Sequence, residues 1–361
     1  MRFVHYYPRA ISDLSGVTAA LWSWAAALAR VGHDVVVLHA GGTRRVEPPV
    51  TPGLSEIAIA HAGHGRTTWA PIALERYLRP DDVVVLHEGW VLSNLVAARA
   101  ASRAGVRYVI VPHGAYEPGV RRRLKPIVLV RAGLERQVLE RAFAVHVFFD
   151  SEVDTIRRLA PRARCMVAPT GFDVPNARWS GDGDYLAWLG RYDLTHKGVD
   201  LLLAALATLP AAARPHVVLR GYDFRRGLRE ARGLVAGLDL APWVTAAGEV
   251  SGADKVAFLT KARGYVHPSR WESHSIALLE SLALGVPTLA SSTMHIAPEL
   301  MRARAAIVVQ PVVPEIAAGF ARLSAAGPAL GQRGRDFIAE RFSWERALAQ
   351  FAEGLDRLSA P

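Results

Sequence analysis

The sequence predicts an α/β protein built from two doubly wound domains in tandem. Three observations lead there. A chain of 361 residues with 51% apolar content has material for two hydrophobic cores. Short, continuously apolar runs such as DVVVLHA (34–40) and VVVLH (83–87) alternate with helical segments, the mark of parallel strands covered on both faces. The alternation breaks once, at the polar, turn-rich FDVPNARWSGDGD (172–184), and then restarts, as a linker between two such domains requires.

The elements follow in order. RFVHYY (2–7) reads as a strand. A loop ending in Leu14-Ser15-Gly16 leads into a helix over 17–31, with Leu21, Trp24, Ala25 and Leu28 on one stripe and Gly32 at its C-cap. After DVVVLHA, strands are expected at 56–60, 83–87, 107–114, 144–149 and 165–170, with helices at 91–104, 120–141 and 151–160 between them. In the second half strands are expected at 185–190, 216–221, 243–248, 264–269, 286–291 and 305–310. Helices are expected at 197–208, 224–237 and 252–262, then within SRWESHSIALLESLALGVP (269–287), with the last near 343–358. Two such domains in tandem leave a cleft between them, a favoured place for a ligand.

The single cysteine, Cys165, excludes an intrachain disulfide framework and fits a reducing compartment. The opening MRFVHYYPRA reads as a strand and not as a signal peptide, and no apolar run reaches ~18 residues, so a cytoplasmic protein is expected. The formal charge of +10 is uneven: residues 101–165 hold thirteen Lys/Arg against six Asp/Glu. That stretch, with its Arg121–Lys125 run, is either a set of solvated helix faces or a surface for an anionic membrane or polyanionic ligand; nucleic acid is not expected.

The chemistry concentrates in the second domain. In SRWESHSIALLESLALGVP, Ser273 or Ser275 can cap a helix that Gly285 and Pro287 end. Glu272 then lies at the helix mouth and Glu280 one and a half turns inside, ~80° apart around the axis, so both can face one cleft. Carboxylates there accept hydrogen bonds from a polyol, and the unpaired amides near Ser273, His274, Ser275 and Ile276 suit a phosphate. The alternative is that Glu280 merely pairs with a buried Arg. In LGRYDLTHKGVDLLLAAL (189–206), Arg191 follows a strand and Lys197 starts a helix, at the carboxyl edge of a parallel sheet. Two cations there suit a diphosphate, or are ordinary surface charges. In the first domain Gly16 precedes a helix, and His87 and His113 each end a strand, as a ligand contact, a proton shuttle or a satisfied polar residue. Asp182-Gly183-Asp184 sits in the linker, and His61 with His64 lacks further ligands, so no metal site is expected.

Together these features resemble the retaining glycosyltransferases of the GT-B class, specifically glycosyltransferase family 4. SRWESHSIALLESLALGVPTLAS is similar to that family's Glu-x7-Glu signature, with Glu272 and Glu280 in the acidic positions. LGRYDLTHKGVDLLLAA resembles its Gly-Arg…Lys-Gly segment, APTGFDV (168–174) the end of its first domain, and RFSWERAL (341–348) the start of its closing helix. The resemblance implies two Rossmann-like domains facing each other across a cleft: residues 1–172 for the acceptor, 173–342 for the donor, and 343–361 as a helix crossing back to the first domain. It implies that Arg191 and Lys197 hold the nucleotide diphosphate, Glu280 the ribose, and Glu272 with the backbone after it the donor sugar and distal phosphate. Gly16 approaches the diphosphate, and His113 the sugar near the reacting carbon. The base rests near Gly221, Tyr222, Glu249 and Val250. His87, Trp90 and Tyr116, with Trp69 and the loops at 41–52, 61–70, 88–94 and 115–125, are candidates for shaping the acceptor site.

The implied reaction moves a sugar from a nucleoside-diphosphate sugar, used as co-substrate with no cofactor or metal, to a hydroxyl of a glycan, lipid-linked or small-molecule acceptor. The setting is cytoplasmic, with a peripheral contact at the inner face of the membrane as an option. Ser273 and Ser275 stand where the family commonly has glycines, and Thr170 where it has Asn, which touches donor identity more than reaction type. The competing readings are a sugar-nucleotide epimerase, a phosphorylase, for which no pyridoxal lysine is located, and a non-catalytic polyanion binder.

Overall fold

Strands in the first part of the computed structural model run β1 (Arg2–Tyr7), β2 (Asp34–His39), β3 (Leu54–Ala58), a short antiparallel ribbon of β4 (His61–Ala62) and β5 (Ala70–Pro71), then β6 (Val83–His87), β7 (Arg107–Val111), β8 (Ala144–Val147) and β9 (Cys165–Val167). The structure describes residues 1–9, 16–41, 50–64, 68–124 and 126–359. Leu14, Ser15, Lys125 and parts of the 41–52 and 61–70 loops lie outside them. The chain divides into two units, Met1–Gly171 with Trp344–Pro361, and Phe172–Ser343.

In the first unit the sheet order is β3-β2-β1-β6-β7-β8-β9, parallel throughout. The valine-rich runs dictate this: the side chains of β2 from Val35 onward and of all of β6 are buried, which requires cover on both faces. Strand order reverses at the β1–β6 pair, where Val4 stands beside both Val36 and Val84. Such a reversal opens a crevice at the carboxyl ends of the two strands. The final helix, Trp344–Ser359, belongs to this unit. Phe351 packs on Trp24, His146 and Phe3, and Trp344 stands edge-on to Trp24.

The second unit carries β10 (Tyr185–Leu189), β11 (His216–Arg220), β12 (Val244–Ala247), β13 (Gly264–His267), β14 (Thr288–Ser291) and β15 (Ile307–Val309), ordered β12-β11-β10-β13-β14-β15 and again parallel. Order reverses at the β10–β13 pair. Trp188, Leu202, Leu203, Leu206, Leu219 and Val266 form the core beneath it. Both sheets are Rossmann-like.

Several expected elements are shorter or broken. The helical stretch at 120–141 is three pieces, Pro118–Arg121, Pro126–Leu129 and Ala132–Arg141; the first break falls before Pro126, which cannot continue the preceding turn. The helix expected at 197–208 is split by Gly198, whose φ of 67° ends Leu194–Lys197 and starts Val199–Thr208. The helix expected from 224 begins at Gly227, after Arg225 and Arg226 adopt left-handed backbone. Among the described residues, no helix is long and apolar enough to cross a membrane.

Candidate functional site

The site in the second unit assembles on either side of the β10–β13 reversal. Strand β10 delivers Arg191, and the loop after β13 delivers Glu272. Between them stands a one-turn helix capped by Asp193, whose carboxylate accepts the His196 N–H at 3.3 Å. Lys197 is therefore the last residue of that turn, not the first of the next helix. Gly198 follows in left-handed backbone, and a Cβ there would fall 2.0 Å from the Pro268 carbonyl oxygen. Only glycine lets the two loops approach this closely.

The approach brings cation to acid. The Lys197 ammonium donates to Glu272 Oε1, and the Ser269 hydroxyl donates to the same oxygen at 3.1 Å. Burial alone would raise the Glu272 carboxyl; the Lys197 ammonium beside it outweighs this and holds it well below the usual carboxylate range. His196 stacks on Trp271 at 4.6 Å and reaches the Trp271 carbonyl through Nε2 at 2.9 Å, so Nε2 carries the proton. Burial lowers His196 to about 4.

Beneath Glu272 lies a buried polar network. Tyr265 donates to the Leu189 carbonyl at 3.1 Å, so its oxygen accepts from His267 Nδ1 at 2.9 Å. His267 Nε2 is thereby an acceptor for the Ser275 hydroxyl at 3.1 Å. Burial keeps His267 neutral by lowering its pKa. Ser275 is the N-cap of Ile276–Ala283, accepting the Leu278 N–H at 3.4 Å, so the first amides of that helix open beside Glu272. Sequence reasoning missed Tyr265, His267 and Ser269 as supports; a histidine closing a strand was the available signal.

Glu280 is half-buried rather than sunk in the core, on a stripe with Ile276 and Ala277. Its partner is Lys255 at 2.5 Å, not an arginine. Ser273 is buried and His274 half-buried at the helix mouth. Arg191 is largely exposed; its guanidinium lies 4.6 Å over the Phe224 ring and 3.2 Å from His196 Nδ1. Gly221 sits so close to Gly190 that a Cβ would fall 1.6 Å from its carbonyl oxygen. Tyr222 is 43% exposed and Val250 half-buried beyond it.

The first unit presents histidines at its own reversal. His5 in β1, His87 at the end of β6 and His113 after β7 form a hydrogen-bonded file: His5 Nδ1 to His87 Nε2 at 3.0 Å and His87 Nδ1 to His113 Nε2 at 2.8 Å. The backbone here is left-handed at Glu88, Trp90 and His113, with φ of 73°, 59° and 49°, and such strain gathers at functional positions. Asn94 holds the bend by donating to the carbonyls of His87 and Glu88. Trp90 and Tyr116 lie inside the unit. The Trp90 backbone N–H and the Tyr116 hydroxyl both bond Glu135 Oε1, at 2.7 and 2.6 Å. Their rings pack on each other at 5.6 Å. Trp69 stacks on His61 at 5.0 Å. Gly16 is the exposed first residue of Gly16–Arg30 rather than part of a preceding turn.

Two Rossmann-like sheets, one with paired acids and cations at its order reversal, define a doubly wound α/β protein with a charged site at a sheet reversal. Residues 183–325 match the family model described as glycosyl transferases group 1, and residues 15–171 match that of the glycosyl transferase 4-like domain. The chain belongs to this family of glycosyltransferases. Over 132 residues it is 35% identical to a phosphatidyl-myo-inositol mannosyltransferase of Mycolicibacterium smegmatis, a match covering 34% of this chain and 33% of that protein, so it spans about a third of that curated relative's length. Its fold is similar to that of sucrose-phosphate synthase from Thermosynechococcus elongatus, with TM-score 0.79, 20% identity, and coverage of 99% and 98% of the two chains. It is similar also to Anabaena HepE in complex with UDP-glucose, with TM-score 0.77, 14% identity, and coverage of 99% and 100%. A third is WaaG, a glycosyltransferase involved in lipopolysaccharide biosynthesis, with TM-score 0.73, 17% identity and the same coverage.

Proposed function

We propose that the protein is a retaining, metal-independent glycosyltransferase that moves a sugar from a nucleoside-diphosphate sugar to an acceptor hydroxyl. The observation that carries the reading is the pairing of Lys197 with a buried, ionised Glu272 beside Arg191 and the open amides of the Ile276–Ala283 helix, all at one sheet reversal. Cations and amides of this kind stabilise negative charge growing on a leaving diphosphate. Glu272 accepts sugar hydroxyls while the Ser269 hydroxyl, donating to Oε1, holds it in place. Glu280 accepts from the ribose, and the Gly190–Gly221 contact leaves a bare backbone shelf for the base. His113 contacts the donor sugar. The acceptor hydroxyl attacks on the face from which the diphosphate departs, which preserves the anomeric configuration, and a diphosphate oxygen takes the proton.

The acceptor is a glycan, a lipid-linked glycan or a small molecule. The exposed Arg121, Arg122 and Arg123 near the 80%-exposed Val130 support a peripheral contact with an anionic membrane. The likeness over 132 residues to a phosphatidyl-myo-inositol mannosyltransferase fits such an acceptor.

The test is a thermal-shift screen against UDP, GDP, ADP, TDP and CDP and their sugars, followed by turnover with the donor that shifts the transition. Arg191→Ala and Lys197→Ala each remove a charge-assisted contact of roughly 1.5–3 kcal/mol, a loss of about 10–200-fold in rate. Wild-type turnover in both variants refutes the diphosphate assignment. Conversion of donor alone into an epimerised sugar nucleotide refutes transfer.

A further inference from the structure

We propose that His196 is a positioning residue whose ring, anchored on the Trp271 carbonyl, presents the Nδ1 lone pair to the Arg191 guanidinium and holds that cation ready for the leaving diphosphate. That role rests on the reading of Arg191 as a diphosphate contact. Arg191 needs such a hold. Its side chain is 43% exposed beyond the end of β10, and a long side chain free in solvent is spread over many rotamers. Three groups meet its guanidinium. The Phe224 ring lies 4.6 Å from it, and Asp193 Oδ2 stands 3.7 Å from Nη2, beyond hydrogen-bond reach. Among the described residues, His196 Nδ1, at 3.2 Å from Nη2, is the group within that reach.

The ring is itself fixed. Arg270 ties the His196 segment to the loop after β13. Its backbone N–H donates to the His196 carbonyl at 2.9 Å. Its guanidinium donates to the Thr195 carbonyl at 2.7 Å and to both Asp200 carboxylate oxygens at 2.7 Å. The His196 ring then lies flat on Trp271, 9° from parallel, with Nε2 on the Trp271 carbonyl. Both partners of the ring are one-way. A carbonyl only accepts and a guanidinium only donates, so Nε2 carries the proton and Nδ1 the lone pair. A charged ring would set an N–H against the guanidinium. Burial excludes that at pH 7 by lowering His196 to about 4; Glu272 and Asp193 pull the other way, and Lys197 and Arg191 add to the lowering.

One helical turn therefore serves both cations. Lys197 meets Glu272 directly, and the residue before it holds Arg191. Both nitrogens of the ring are engaged, so His196 acts through Arg191 and not on the substrate. A cation set in place beforehand stabilises growing charge without reorganising at the moment of reaction. Its effect belongs in kcat more than in KM.

Turnover with the donor that shifts the thermal transition tests this in a double-variant cycle of His196→Leu and Arg191→Ala, with His196→Asn beside it. His196→Leu is expected to lower kcat about tenfold, with KM within about twofold of wild type. His196→Asn, whose Oδ1 can stand in for Nδ1, should recover most of that loss. In the Arg191→Ala background His196→Leu should cause no further loss. Wild-type turnover in His196→Leu, no recovery in His196→Asn, or the full loss repeated on top of Arg191→Ala overturns the proposal. A second measurement keeps the ring and needs no substrate. In proton–nitrogen correlation spectra of the 15N-histidine-labelled full chain at pH 7, His196 is assigned by its absence in His196→Asn. The Nε2–H form is expected, and its Nδ1 resonance should move in Arg191→Ala. An Nδ1–H form or an unmoved resonance overturns the proposal whatever the variants do. Should no nucleotide sugar be turned over, the functional reading falls, and these spectra decide the His196–Arg191 contact alone.

Discussion

Replacing Lys197 by methionine tests whether the buried acid is held ionised by its neighbour. Methionine keeps the volume and removes the charge. The side chains of Lys197 and Glu272 are 13% and 7% exposed, so the change leaves a carboxylate in a nearly dry place. Breaking a buried pair on one side costs about 3–5 kcal/mol. At about 2–4 °C per kcal/mol for a domain the size of the Phe172–Ser343 unit, this is a fall in Tm of about 6–20 °C at pH 7. His196 and His267, both lowered chiefly by burial and further by Lys197, can take up a proton in the variant and bring the loss toward the lower figure.

The pH dependence gives the sharper discrimination. In the wild type the Glu272 pKa is depressed below 4.5, so its contribution to stability is full above that pH and is lost as pH falls through the folded value. In Lys197→Met burial dominates and the folded pKa rises above 4.5, so the variant gains stability on protonation as pH falls toward that value. The Tm gap between the two proteins therefore narrows from pH 7 to pH 5. Calorimetry of the wild type, Lys197→Met, Glu272→Gln and the double variant measures this, with the double variant expected to be closer to wild type than Lys197→Met. A gap of less than about 2 °C at pH 7, or one that widens on acidification, refutes the account of a charge stabilised by its partner.

Gly221→Ala forces a methyl group 1.6 Å from the Gly190 carbonyl oxygen, so a fall in Tm and loss of any nucleotide-induced thermal shift are expected. Glu135→Leu strands the Trp90 amide and the Tyr116 hydroxyl, and chemical denaturation should show a loss of about 2–4 kcal/mol, against a smaller loss for Glu135→Gln. Joint replacement of Arg121, Arg122 and Arg123 by Gln should weaken co-sedimentation with phosphatidylserine vesicles at low salt by about 1 kcal/mol per residue, with no change on neutral vesicles.

The architecture was legible because parallel strands buried on both faces leave unbroken apolar runs: each of the valine clusters at 35–37 and 83–85 lies inside a strand. Ends were less legible. Strand 165–170 stops at Val167, and the ribbon of β4 and β5 escaped notice, because two-residue strands have no period to detect. In the site, the acids and cations were readable as residue types. That Lys197 and Glu272 touch was not, for they stand 75 positions apart and meet only because β10 and β13 are neighbours. His5 drew no attention for the same reason. Its partnership with His87, 82 positions away, depends on β1 lying beside β6.

The placement of Trp344–Ser359 in the first unit bears on how the polypeptide matures on the ribosome. Residues 172–343 emerge in full before the helix that shields Trp24 and Phe3 has been synthesised. The amino-terminal sheet must wait through that interval with this aromatic patch uncovered. A chain stalled or truncated before Trp344 should therefore be a client of chaperones, while its middle segment is already complete.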